Sequence, residues 1–386
     1  MPTNMVFHHQ QEHSIHYCST KKGTPYTMCM PPPASLSEES DLKNDVSQIS
    51  GSEFDQNWHY FSESMPVPFT VWIVMLGILG SMGCIGTLGN LLIFGAVYVE
   101  KSLRTTSSAF VLNLAASDLL VSAYIIPMAL VNLLYGGRNP FGNGICKFTG
   151  YVGQVSCNAS TFNLALIAVN RYSFIVKFSY YSTVFTSRNT IKIIVAIWTV
   201  AASIAAPNLL GWGNIRFDQK TMICSFDRTY SFSYTCFLLL TAVAVPINTT
   251  LFCYYRIFSK VRRSRQKFAA VRKEQQKALA RTSGKLSKTK TQRERKARKD
   301  QLKLIQSLFI VFIAFNVCWM PYMLTVMLDY KDNLSHWVHL GVMWLVLANS
   351  CMNSFIYGVM NRNFRAGYRK IVFRWKFNLG SHSSST

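Results

Sequence analysis

Seven stretches of the chain are apolar for long enough to cross a bilayer, and polar segments separate them. They cover 67–97, 105–134, 143–176, 190–210, 232–258, 303–329 and 335–358; a spanning helix needs about 20 mostly apolar residues. The third and seventh are the most polar inside, with Asn158, Ser160 and Asn163 in one and Asn349, Ser350 and Asn353 in the other. Polar side chains at membrane depth turn toward other helices rather than lipid. The last two stretches are separated only by "YKDNLS" and its neighbours, so they must form a hairpin. The pattern predicts an all-α membrane protein, a bundle of seven transmembrane helices.

Composition sharpens this. The chain is 49% hydrophobic and only 15% charged, against about 25% charged in a soluble average. Its net charge of +23 would suit nucleic acid if the bases shared one folded face. They lie instead in blocks between apolar runs, so no nucleic-acid partner is expected. In membrane proteins such blocks mark the cytoplasmic side. Lys101 and Arg104 follow the first span, and Lys177 and Arg188 the third. From Lys260 to Lys303 there are eighteen Lys and Arg against Glu274, Glu294 and Asp300. Arg362, Arg365, Arg369, Lys370, Arg374 and Lys376 follow the last span, whereas residues 1–66 carry more acids than bases. The N-terminus is thus expected outside the cell and the C-terminus inside. "MPTNMVFHHQQEHSIH" lacks the apolar core of a signal peptide, so insertion is expected to begin with the first span.

The domain organisation follows. Residues 1–66 cannot bury a core and are expected to form a disordered extracellular tail. Its histidines (His8, His9, His13, His16) read as solvated rather than metal-binding, and Cys18 and Cys29 are either free or paired. The helical domain spans 67–358 and includes a basic cytoplasmic loop, 260–303. Within 359–373, Phe364, Tyr368, Ile371 and Val372 fall at helical spacing among Arg and Lys, the pattern of an amphipathic helix on the inner leaflet. Residues 374–386 form a cytoplasmic tail. Cys84, Cys157, Cys236, Cys253, Cys318 and Cys351 lie inside apolar runs and read as small buried core residues.

Each span holds one polar or proline irregularity. The first has Gly89-Asn90 and the second "LNLAASDLL" with Asp118. The third has Cys146 at its outer end and "NRY" (Asn170, Arg171, Tyr172) at its inner end. Trp198 lies in the fourth, Pro246 and Tyr254 in the fifth, "FNVCWMP" (Phe315 to Pro321) in the sixth, and "NSFIY" (Asn353 to Tyr357) in the seventh. Together, in this order, they resemble the rhodopsin-like G-protein-coupled receptors over about 67–373. The resemblance implies a plasma-membrane receptor for an extracellular ligand that activates a heterotrimeric G protein, with no enzymatic activity. It also implies a Cys146–Cys224 disulfide and an activation switch through Asn170, Arg171, Tyr172, Tyr254, Phe315, Trp319, Pro321, Asn353 and Tyr357. On its residues alone, Arg171 reads as a membrane anchor whose guanidinium reaches water; the resemblance makes it the switch. Two acids usual around that arginine are replaced, by Asn170 and Gln301, so the inactive state is expected to be less tightly latched. No cofactor is expected beyond an allosteric sodium ion held by Asp118, Ser160, Asn349, Ser350 and Asn353.

The ligand is narrowed by what is missing. The run 342–353 contains no lysine, which excludes a retinal Schiff base of the opsin kind. The helix 3 aspartate of amine receptors is replaced by Gly153. The chain is most similar to the melatonin receptors, sharing "NRY", Pro207-Asn208-Leu209, "NSC" before "N" and "IYG", and the "NRNFRAGYRK" stretch. That likeness implies a site at Asn208, Phe226, Arg228, Gly153, Gln154, Trp319 and Tyr322, with Phe226 stacking on the ligand. Arg228, Ala242 and Ser354 depart from that family's pattern, and Arg228 suits an anionic or carbonyl-rich ligand or else is a solvated loop charge. A peptide- or lipid-activated receptor is the alternative, and a transporter a more remote one, since neither repeats nor broken helices are visible. Thr282, Ser283, Ser287, Ser381, Ser383, Ser384, Ser385 and Thr386 are candidates for a receptor kinase, and phosphates on the tail would recruit an arrestin. Membrane lipid is the expected neighbour of the basic loop.

Overall fold

The structure, a computed structural model, describes residues 17–19, 28–30, 68–279 and 288–382; for 17–19, 28–30, 374–382 and most of 268–304 it describes the backbone alone. The chain falls into two compact units, Met1–Glu63 and Ser64–Thr386. In the first, β1 (Tyr17–Ser19) pairs antiparallel with β2 (Met28–Met30), and Cys18 stands opposite Cys29. This short ladder is regular structure inside the segment expected to be disordered. The four tail histidines lie outside the described residues.

The second unit holds seven helices long and apolar enough to cross a membrane. They are α1 (Phe69–Val99), α2 (Thr106–Leu134), α3 (Gly142–Val176), α4 (Ser187–Asn208), α5 (Phe232–Leu238, a π turn, then Val245–Leu279), α6 (Lys288–Leu328) and α7 (His336–Met360). A helix satisfies its own backbone polar groups, as a span in lipid must. Side chains start several of them: Thr105, Thr186 and Ser231 each accept a hydrogen bond from a backbone amide three residues on, the N-cap arrangement. Pro321 lies inside α6, and a π turn, Leu239–Ala244, precedes Pro246 in α5. Both interrupt the hydrogen-bond ladder where the sequence placed an irregularity.

Buried polar residues tie the helices together. Asn90 on α1 donates to the Ser350 carbonyl of α7 at 2.9 Å. Asn113 on α2 donates to Asn163 on α3 at 2.7 Å and accepts from Trp198 on α4 at 2.9 Å. Gly89 allows α1 to approach α7 closely, since a Cβ there would lie 2.2 Å from Ser354 Oγ.

Three differences from the sequence reading have physical causes. The loop expected over 260–303 is largely helix, because α5 runs on to Leu279 and α6 starts at Lys288; its Lys, Arg, Gln, Glu and Ala are strong helix formers. The last helix, α8 (Arg362–His382), outruns its expected end. Its apolar face packs onto the bundle as much as toward a membrane: Phe364 is buried and stacks on Tyr357 at 5.3 Å, whereas Val372 and Phe373 are exposed. Lys370 fastens α8 to the end of α1 through Glu100 at 2.7 Å; with hydrogen bonds from Lys370 and Ser102, the Glu100 pKa is held down to about 2. Third, only Cys253 and Cys318 of the six apolar-run cysteines are buried, while Cys84 and Cys236 are exposed on the outer faces of their helices. In a membrane span an apolar side chain facing outward meets lipid, so hydrophobicity does not distinguish core from surface.

Candidate functional site

Between α4 and α5 the chain turns through a hairpin, β3 (Ile215–Asp218) against β4 (Ile223–Phe226). Cys224 on β4 is bonded to Cys146 on α3, with Cα atoms 5.3 Å apart. Gly150, one turn further along α3, lets the hairpin lie directly on that helix: a Cβ there would sit 2.5 Å from Ile215 and 3.1 Å from the Cys224 carbonyl oxygen.

Beneath the hairpin a narrow cavity of about 100 Å³ runs into the bundle. Gly153, Gln154, Phe226, Trp319 and Tyr322 line it, with Cys157, Ala242 and Met343. Its small residues on α3 and α5 let it continue past Trp319 to Asp118, Ser160, Asn349 and Ser350, so one space joins the expected ligand and cation sites. The walls are mostly apolar, as small-molecule sites are.

Two residues expected at the ligand do not line this space. Asn208 is buried behind the wall, where its amide nitrogen reaches Gln154 Oε1 at 2.6 Å and the Tyr234 hydroxyl at 2.7 Å. Gln154 also donates to Tyr234 at 2.8 Å, so the three form a closed cluster. Arg228 is buried in the loops and paired with Asp218 at 2.8 Å and Asp332 at 2.5 Å. Lys220 adds a bond to Asp332 at 2.9 Å and to the carbonyls of Asp332 and Leu334, each at 2.7 Å. The hairpin is thereby fastened to the segment between α6 and α7. Burial opposes the charge on Asp332, but Lys220 and Arg228 outweigh it and hold its pKa below the ordinary range.

Asp118 is 1% exposed. Asn353 donates to its Oδ2 at 2.7 Å, Ser160 approaches Oδ1 at 3.4 Å, and the Ser350 hydroxyl faces the same group. Asn353 thus presents its amide nitrogen, not its oxygen, to the carboxylate.

Toward the opposite, basic end, Phe315 stacks on Trp319 at 5.6 Å, one turn above Phe312, which packs near Tyr254. Arg171 has no ion-pair partner among the described residues. It is within electrostatic reach of Tyr181, Tyr254 and Tyr357. Its buried Nε and the Tyr357 hydroxyl both lack hydrogen-bond partners. Asn170 turns away, accepting from Ser107 on α2 at 2.7 Å. Tyr172 lies on the other side of α3, tilted against Phe252 at 6.1 Å. The side chain of Gln301 lies outside those described, as do the candidate kinase-site hydroxyls.

Tyr181, Tyr234 and the group of Asp218, Lys220, Asp332 and His339 escaped sequence reading. Nothing in their local pattern separates them from other loop charges and aromatic residues, because their partners are distant in the chain.

The site thus joins a disulfide-pinned hairpin, a cavity beneath it, and, at the far end of the bundle, an arginine whose Nε is buried. Residues 89–357 match the family described as 7 transmembrane receptor (rhodopsin family), and the chain belongs to that family: it is a G-protein-coupled receptor for an extracellular ligand. It is 30% identical to Melatonin receptor type 1B-B of Danio rerio over 290 residues, 74% of this chain and 77% of the relative. It is 29% identical to Melatonin receptor type 1A of Mus musculus over 74% of this chain and 76% of that one. Squid rhodopsin superposes with a TM-score of 0.70 at 22% identity, over 80% of this chain and 87% of that chain; this likeness shows the shared fold.

Proposed function

We propose that this receptor is activated by a small neutral ligand, melatonin-like in being flat and lacking a required ammonium, seated between Phe226 and Trp319. The observation that carries this reading is the cavity wall itself: Gly153 stands where a counter-ion for an amine would be, and Phe226 lines the same space. Arg228 is already engaged by two carboxylates, which favours a neutral ligand over an anion. Asn208 acts through Gln154, holding that amide against the cavity. A screen of melatonin, other indoles, peptides and lipids for G-protein activation tests it. Potent activation by simple biogenic amines, lost when the amine is neutralised, overturns it. Phe226→Ala should weaken the active ligand by about 0.5–1.5 kcal/mol beyond the lost contact area, through lost stacking; a competition isotherm measures this.

The distribution of Lys and Arg favours an extracellular N-terminus and the cytoplasm for the basic face. There the basic extension of α5 and α6 faces anionic lipid and the G protein, and the tail hydroxyls are substrates for a receptor kinase and then sites for an arrestin. The Asp118 pocket fits a hard cation, since carboxylate and hydroxyl oxygens converge on it and hard cations take oxygen ligands. Asp118, Ser160 and Ser350 would hold sodium there, with Asn349 beside them and Asn353 fixing the carboxylate.

Asn170→Asp should lower basal signalling. An acid at that position lies beside the unpaired Arg171 and would hold it, whereas Asn170 spends its oxygen on Ser107. Agonist-free nucleotide exchange at matched surface expression is the readout; an unchanged basal rate contradicts the loose latch.

A further inference from the structure

The segment joining α6 to α7 brings three metal-capable groups together that neither the ligand cavity nor the switch uses. Asp329 follows the end of α6, Asp332 lies in the turn, and His339 stands one turn into α7. One ligand atom from each falls within 4.8 Å of both others. His339 Nε2 is 2.8 Å from Asp329 Oδ2 and 3.6 Å from Asp332 Oδ1. His339 and Asp329 are buried, at 1% and 5% exposure, while the Asp332 side chain is 34% exposed. Two ligands are therefore fixed and the third opens to solvent, leaving a path for an ion and a place for water.

The surroundings orient these groups. Asp329 Oδ1 accepts from the Asn333 amide at 2.7 Å, and the Leu334 amide is shared between Oδ1 at 3.2 Å and Oδ2 at 3.1 Å, which holds the carboxylate in place against the imidazole; such outer contacts fix ligand geometry in metal sites. Lys220 and Arg228 both bind Asp332 through Oδ1, the oxygen 3.6 Å from His339 Nε2, and no bond to its Oδ2 is found among the described residues. Charge favours a cation as well. Three carboxylates, Asp218, Asp329 and Asp332, face only two permanent cations, Lys220 and Arg228, when His339 is neutral.

We propose that His339, Asp329 and Asp332 form a zinc site that braces α6 against α7 beside the cavity mouth. An imidazole with two carboxylates suits zinc, whereas calcium and magnesium prefer oxygen alone and more ligands. Water completes the coordination. Binding uses the tautomer of neutral His339 that carries its proton on Nδ1, which leaves the Nε2 lone pair for the metal.

The test uses the purified full-length receptor in nanodiscs, with thermal unfolding followed during titration with zinc alone, calcium alone or magnesium alone. Both faces are accessible there, so the outcome does not depend on membrane orientation or on the ligand. Zinc should raise the midpoint saturably, calcium and magnesium should not, and His339→Gln should lose the zinc response. The tail histidines are present in both proteins, so the difference between them reports this site. If His339→Gln does not fold, Asp332→Asn, at the more exposed arm, should lose it instead. No zinc response in the unmutated receptor, or an equal response in the folded variant, overturns the proposal.

Discussion

Arg171→Ala is expected to abolish G-protein activation, or reduce it by at least about tenfold, while ligand binding survives. The size follows from the 1–3 kcal/mol, roughly 5–150-fold, over which coupled sites usually communicate. Asn170 rather than an acid precedes Arg171, and three tyrosines from separate segments lie within its electrostatic reach. A buried guanidinium is expensive unless its donors find partners, yet its Nε has none, and neither does the Tyr357 hydroxyl. Under the proposed reading, that unspent donor and hydroxyl would serve as a junction between α3 and α7 for a partner entering the basic end. None of the residues lining the ligand cavity is Arg171 or one of its three tyrosines, so alanine removes the junction without altering the cavity. Nucleotide exchange and ligand binding, measured on the same membranes at matched surface expression, separate the two. Normal signalling by the variant would show that Arg171 is only a membrane anchor.

The second large effect is expected from sodium. Asp118 is the one carboxylate lining the cavity, and an ionised carboxylate buried among helices needs a cation or a proton. The hydroxyls of Ser160 and Ser350 and the amide of Asn353 already face it. Closing α7 inward during activation would compress this space, so a bound ion favours the inactive form. Raising sodium at constant ionic strength should therefore lower agonist affinity, and Asp118→Asn should remove the dependence. Holding ionic strength fixed matters, since screening alone alters charged equilibria. Equal agonist affinity in sodium and in a bulky organic cation, for the unmutated receptor, would indicate a protonated Asp118 and no ion.

Much of this architecture is legible in the sequence because lipid leaves few alternatives. Once backbone groups must be satisfied within each segment, a run of apolar residues can only be a helix, and all seven spans fall within a few residues of their expected bounds apart from the basic ends of α5 and α6. Those ends were misread as loop because helix propensity in a solvated basic segment leaves no hydrophobic signature. The cavity lining was legible where a helix fixes direction, at Gly153, Gln154 and Trp319, and also at Phe226 on the hairpin. Asn208, at the end of α4, and Arg228 were not, because the partners that decide where they point, Gln154 and Tyr234 for one and Asp218 and Asp332 for the other, lie on other elements. The hairpin register that puts Phe217 opposite Cys224, and the carboxylate of Asp332 more than a hundred residues away, together decide where Arg228 points. Asn170 shows the same limit on the basic side. Its replacement of an acid is visible in the chain, but its bond to Ser107 on α2 is not.

The most direct measurement of the receptor account is agonist affinity in membranes with and without excess GTP. A ligand seated under the hairpin and coupled through Arg171 to a G protein should bind more weakly when GTP dissociates that partner, and Arg171→Ala should make affinity indifferent to GTP. Affinity unaffected by GTP in the unmutated protein, together with ligand flux into liposomes containing it, would contradict the account and mark the chain as a transporter.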